Sequence, residues 1–104
     1  MALVTSVYGL TKTFPREEIY ALTSQTRKAA VSVPANIAEG QGRRLTGEFH
    51  QFLAHSRGSL MELDTHLEVA CRVGYVSEEQ LELIQNDLNE VGRLLNGLMR
   101  SLKR

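Results

Sequence analysis

The chain has 104 residues, with 12 Lys/Arg against 12 Asp/Glu and a formal net charge of zero. That length suits one domain, and the neutral balance is unlike the strongly basic profile of a dedicated nucleic-acid binder. A single cysteine, Cys71, excludes an intramolecular disulfide, and no apolar run approaches the roughly 18 residues needed for a membrane span.

The first segment, residues 1–13, offers Leu3, Val7 and Leu10 flanked by Val4 and Tyr8. This is the spacing of a short helix. It has no N-cap, as though the chain begins partway along a helix. The opening residues Met1 to Thr5 also lack the basic stretch of a signal peptide, so a reducing, cytoplasmic location is expected.

A second seam, over 16–39, runs Ile19, Leu22, Thr26, Ala29, Val33, Ile37. Pro15 suits a first turn, with Glu17 and Glu18 behind it, and Gly40 and Gly42 read as the stop. Pro34 removes the bond to the Ala30 carbonyl. The apolar pattern continues in phase past it, which predicts one kinked helix and not two. A third seam, over 46–73, runs Phe49, Leu53, Ser56, Leu60, Leu63, Leu67, Ala70, with Thr46 as N-cap and Gly74 as the terminating residue.

The fourth segment, 77–102, is the clearest. Leu81, Ile84, Leu88, Val91, Leu95, Leu98 and Leu102 hold alternating steps of three and four. Ser77 and Gln80 have the spacing of a capping box. Glu78, Glu79 and Glu82 sit near its start and Arg100, Lys103 and Arg104 near its end, as the helix dipole favours. Short connections make neighbouring helices antiparallel. The predicted fold is a single all-α domain over 1–104, an up-down-up-down four-helix bundle.

No catalytic constellation emerges. His50 and His55 are five residues apart, off the i,i+4 spacing of a helical metal pair, and His66 lies further on. Gly40-Gln41-Gly42 is too short for a phosphate loop, and Cys71 has no triad partner. Neither an enzyme nor a bound metal or cofactor is expected. Thr26, Asn36 and Ser56 occupy or flank positions that want leucine, with Glu39, Ser59 and Glu62 close by. They read as a structural hydrogen-bond network between the second and third helices, or alternatively as a ligand site.

The basic residues are unevenly placed. Residues 1–57 carry seven Lys/Arg and four Asp/Glu, while Glu62 to Glu90 holds eight acids and one base, Arg72. Taking Arg43 as the hairpin tip, Lys28 and Arg57 are level, about 22 Å along the helices. Arg27, Lys28 and Arg57 are then one predicted cluster, with Arg43 and Arg44 another at the turn. These clusters suit phosphate binding, or else solvated surface and ion pairs with Glu39, Glu48 and Glu62. No exposed aromatic platform for bases is expected.

Several stretches carry a family resemblance. They are Phe14-Pro15-Arg16-Glu17-Glu18, the run Leu22 to Ala30, Val31-Ser32-Val33-Pro34-Ala35-Asn36-Ile37-Ala38-Glu39-Gly40, the run Phe49 to Leu63, and Gly74-Tyr75. Together the chain resembles the bacterial four-helix bundle proteins encoded within intervening sequences of 23S ribosomal RNA genes. The accessory variability determinant of diversity-generating retroelements is similar to that family. The likeness runs from about Met1 to Leu102. It departs at the start, where family members usually begin earlier, with a Trp-containing first half of helix 1; this chain has no Trp.

The resemblance implies a homopentameric ring around an axial opening, and binding of structured RNA or a ribonucleoprotein. Arg27, Lys28, Arg43, Arg44 and Arg57 are the candidate contacts. The alternative is a protein-interaction scaffold or accessory subunit without direct nucleic-acid contact. An oligomer is also expected from the residues themselves. Leu83, Leu94 and Met99 form a second stripe beside the fourth seam, and Phe52 and Met61 lie off the third.

Overall fold

A computed structural model describes residues 1–102. Lys103 and Arg104, expected in the last turn of the fourth helix, lie outside the described residues. The fold is all-α: α1 (Ala2–Thr11), a 3-10 turn (Arg16–Glu18), α2 (Leu22–Gln41), α3 (Thr46–Arg72) and α4 (Glu78–Leu102). Each helix packs antiparallel on its chain neighbours, and α1 also touches α4, so the four close around one core. Leu53, Leu63, Leu67, Leu95 and Val7 are its largest fully buried apolar side chains. Among the described residues no helix is long and apolar enough to cross a membrane.

The third and fourth segments follow their apolar period closely. Every α3 seam residue from Leu53 to Ala70 is buried. The α4 seam is buried from Leu81 to Leu88 and then drifts: Leu98 is 42% exposed, while Met99, expected in the outer stripe, is in the core. A straight helix turns every 3.6 residues and not 3.5, so after three heptads the inward face has moved on by about one position. The capping box forms. The Gln80 N–H donates to Ser77 Oγ at 3.0 Å and the Ser77 N–H to Gln80 Oε1 at 2.9 Å.

Gly74 terminates α3 with φ of +89°, a conformation that costs glycine little. The Tyr75 N–H donates to the Ala70 carbonyl at 2.8 Å and the Gly74 N–H to the Cys71 carbonyl at 3.1 Å. This pair of bonds is the Schellman pattern. At the other end of α3, Thr46 is not a cap. It is the first helical residue, and Leu45 precedes it without any side-chain cap bond.

The second segment departs most from expectation. Residues Arg16–Glu18 form the separate 3-10 turn, and the α-helix starts only at Leu22. Ala21, at φ −123° and ψ −106°, breaks the path, and Ile19 is exposed. Glu18 accounts for the break. Its Oε2 accepts the Tyr75 hydroxyl at 2.8 Å and its Oε1 accepts the Leu22 N–H at 3.4 Å, which ties the turn to the α3–α4 corner. Beyond it α2 runs unbroken through Pro34. Gly40 does not stop the helix; it lies inside α2, buried against Phe49 and Phe52 of α3.

The Glu18–Tyr75 bond predicts an alkaline weakness. The hydrogen bond to Glu18 holds the Tyr75 phenol above its ordinary value of 10.0, helped by desolvation and by the Glu18 and Glu17 charges. The unfolded chain therefore loses this proton first. The bond's contribution is intact below pH 10 and is lost as pH climbs beyond it. Melting temperatures measured from pH 9 to 11 should fall more steeply for the parent than for Tyr75→Phe.

Candidate nucleic-acid interface

The α1–α2 face holds an open cleft of about 500 Å³, lined by Tyr8, Ile19, Thr23, Ser24, Arg27, Lys28, Val31 and Ser32. Arg27 is its fixed point. Its Nε–H donates to Thr11 Oγ1 at 2.8 Å, and its guanidinium carbon lies 4.7 Å from the Tyr8 ring centroid. A planar guanidinium over an aromatic face is both attractive and preorganised. The helical period assembles the rest. Thr23 and Arg27, and Ser24 and Lys28, are i,i+4 pairs that share one face of α2.

The predicted cluster of Arg27, Lys28 and Arg57 does not form. Ser32 Oγ meets Ser59 Oγ at 2.8 Å and Ser56 Oγ donates to the Val33 carbonyl at 2.8 Å, which fixes the α2–α3 register. On that register Lys28 is level with Glu62, and both line one cleft with Ser32 and Ser59. Arg57 is level with Val33, about 8 Å away along the axis. It also faces the other way: Arg57 Nη1 donates to Asn96 Oδ1 of α4 at 3.1 Å. The expected register took Arg43 as the pivot, whereas the Ser32–Ser59 and Val33–Ser56 pairs are centred about Leu45, at the far end of the turn.

At that turn Arg43 pairs with Glu39 at 2.7 Å, and its guanidinium carbon lies 4.8 Å from the Phe52 ring centroid. Arg44 is exposed, with no ion pair among the described residues. Arg57 shares a second open cleft, of about 380 Å³, with Arg93, Asn89 and Asn96 of α4.

The polar residues of the α2–α3 seam divide in two. Ser56, fully buried, bonds across to α2, and Ser59 bonds Ser32. Asn36 Nδ2 donates to the Ser32 carbonyl at 2.8 Å and to Ser32 Oγ at 2.9 Å, so Ser32, outside the network expected from the sequence, is the hub. Thr26 instead donates to Leu22 of its own helix at 2.6 Å. Glu39 and Glu62 stand outside the network on the surface, paired with Arg43 and His66.

The three histidines are scattered. His66 meets Glu62 at 3.1 Å, His55 lies beside Phe52 with ring centroids 6.0 Å apart, and the buried His50 Nε2 has no partner among the described residues. Among the described residues no three His, Cys, Asp or Glu side chains converge as a metal site would require.

The sequence reading missed Tyr8, Tyr20, Thr23 and Ser24. Tyr20 is 95% exposed and Tyr8 is 40% exposed, so aromatic surface does accompany the basic residues. The i,i+4 spacing of Thr23 and Ser24 to Arg27 and Lys28 was the available signal; the Tyr8 contact, between different helices, left none.

Comparison with known proteins follows the same outline. A family model described as 23S rRNA-intervening sequence protein matches residues 1–97. Among solved structures, the chain is similar to a protein of unknown function from the S23 ribosomal protein family of Bacteroides thetaiotaomicron. The two are 25% identical, with a TM-score of 0.86 over 94% of this chain and 92% of that one. No curated protein matches the chain. With the family model covering nearly the whole bundle, from α1 to the last turns of α4, the chain belongs to the 23S rRNA-intervening sequence protein family.

Proposed function

We propose that this protein is a non-catalytic RNA-binding module whose basic residues act together when copies are arranged in a ring. The observation that carries the reading is the α1–α2 cleft, where the Arg27 guanidinium lies over the Tyr8 ring with Lys28, Thr23, Ser24 and Ser32 beside it. Cationic groups and an aromatic face side by side are what phosphates and bases jointly require. Arg43, Arg44 and Arg57 lie elsewhere on the surface and extend the phosphate-contacting area.

Repetition compensates for the zero net charge. A homopentamer would present five copies of each basic site, and linked sites gain avidity without new contacts. Exposed apolar side chains support such packing: Leu83, Leu94 and Met61 are each more than 60% exposed on the single protomer. Light scattering should return a native mass of about five chains. Leu94→Lys should lower that mass while leaving the melting of the protomer nearly unchanged, because surface substitutions away from packed features cost about 0.5 kcal/mol or less.

Filter binding of structured RNA across a salt series tests the function. Affinity should fall steeply with salt, and Lys28→Gln should weaken it and flatten the slope, since each phosphate contact contributes to that slope. Absence of salt-sensitive binding at about 50 mM salt would refute the reading.

A second reading, a protein-interaction scaffold, is favoured by an apolar cleft of about 370 Å³ between α1, α2 and α4. Leu3, Val4, Ile37, Val91, Leu94 and Leu98 line it. Nuclease-resistant capture of a defined protein, with no RNA binding, would select it.

A further inference from the structure

We infer that the α1–α2 cleft continues into a groove that holds the sugar-phosphate backbone of RNA with little regard to base sequence, Lys12 and Arg16 joining Arg27 and Lys28 as its phosphate contacts. The inference rests on the RNA-binding reading. It adds two residues to that reading and says which part of the RNA is held.

The groove has two halves. One is the cleft of about 500 Å³ that contains Arg27 and Lys28. The other, of about 330 Å³, lies at the corner where α1 ends and the 3-10 turn follows. Lys12, Phe14, Pro15 and Arg16 belong to this second half alone. Ile19, Thr23 and Arg27 line both, so the halves are continuous. Arg27 stands at the junction. Its Nε–H is held by Thr11, and its terminal Nη groups have no partner among the described residues. A guanidinium fixed at one edge presents the other edge to an oxyanion at little entropic cost.

The lining is of one sign. Among the described residues, the groove walls hold four cations, hydroxyls and apolar or aromatic side chains, with no carboxylate and no carboxamide. None of the four cations is in an ion pair among the described residues. Glu17 and Glu18 follow Arg16 directly in the chain, yet neither lines the groove. The Glu18 carboxylate is engaged by the Tyr75 hydroxyl and the Leu22 N–H. The other basic positions are compromised. Arg57 shares its cleft with Asp64, and Arg43 is paired with Glu39. Low-dielectric walls around charges of one sign concentrate the field, so this groove is where a polyanion gains most. Carboxylates and carboxamides are the side chains that accept from the amino edges of bases. Their absence leaves phosphate oxygens as the part of RNA that every polar group here suits.

The test is fluorescence polarisation with labelled uridine and cytidine homopolymers of about fifteen nucleotides, across a salt series. The two strands should bind within a few-fold of each other. Lys12→Gln and Arg16→Gln should each weaken binding several-fold and reduce the slope of log affinity against log salt by about 0.7, with the double variant losing about twice as much. Both side chains are exposed and make no hydrogen bond among the described residues, so melting should not change. Arg100→Gln, in the last turn of α4 and outside the groove, should leave both affinity and slope as they are. A parental slope in the double variant, or strong preference for one homopolymer, overturns the inference and leaves the RNA-binding reading standing. Displacement of the RNA by an equal concentration of polyglutamate also overturns it, in favour of an acidic peptide. No binding of either strand at about 50 mM salt overturns both.

Discussion

Gly40→Ala is expected to destabilise the protein by about 1–3 kcal/mol, the usual cost of overpacking. Helix propensity alone points the other way, since alanine is favoured over glycine by about 1 kcal/mol in a helix interior. Gly40 is buried inside α2, and a Cβ built there lies 2.8 Å from Phe49 Cδ1 and 2.8 Å from Phe52 Cβ. The Phe49 ring can swing. Phe52 Cβ is fixed to the α3 backbone, so relief requires α2 and α3 to separate. That movement would also disturb the Arg43 guanidinium resting on Phe52, and with it the basic turn. Gly58 and Gly97 are internal controls, because a Cβ at either meets nothing within 4 Å. Gly58→Ala and Gly97→Ala should therefore raise stability by up to about 1 kcal/mol. Urea unfolding of the three variants decides the matter. A neutral or stabilising Gly40→Ala would mean that the helices are not in close contact at this point.

How legible this was in the sequence depended on whether the deciding interaction was local. The α3 and α4 helices, the Ser77–Gln80 capping box and the Gly74 stop depend on residues within a turn of one another, and all are read from spacing. The start of α2 was misplaced because Glu18 is held by Tyr75, 57 residues away. Gly40 was misread as a stop for a similar reason: what it contacts is on α3, and composition cannot distinguish a glycine that ends a helix from one that lets two helices meet. The candidate interface was half legible. Arg27 and Lys28 were singled out by charge, and the Thr23 and Ser24 spacings were in plain view. The partner that gives the cleft its character, Tyr8, depends on how α1 lies against α2. Arg57 lies away from Lys28 because the α2–α3 pairs are centred about Leu45 and not Arg43, and a shift of two residues in that centre moves opposed side chains by four or five.

The same close seam makes Ser56→Leu instructive. The α3 period has leucine at 53, 60, 63 and 67, so leucine at 56 would complete the stripe and, on pattern alone, add buried apolar surface. The expected result is a loss of about 1–3 kcal/mol instead. Ser56 is fully buried, and its Oγ lies 2.8 Å from the Val33 carbonyl oxygen, so the α2 backbone occupies the space a leucine would need. Facing residues are small along this stretch: Ala29, Ala30 and Ser32 on α2, and Ser59 on α3. With Gly40 at one end, they let the two helices approach closely. Ser56→Ala keeps that approach and removes only the bond, so it should cost about 1 kcal/mol. The ordering is the test. If Ser56→Leu unfolds at higher urea than Ser56→Ala, the seam has room to spare, and the Ser56–Val33 bond is incidental to the helix spacing. If leucine is the worse of the two, the serine is there because the helices are too close for the residue their periodicity calls for.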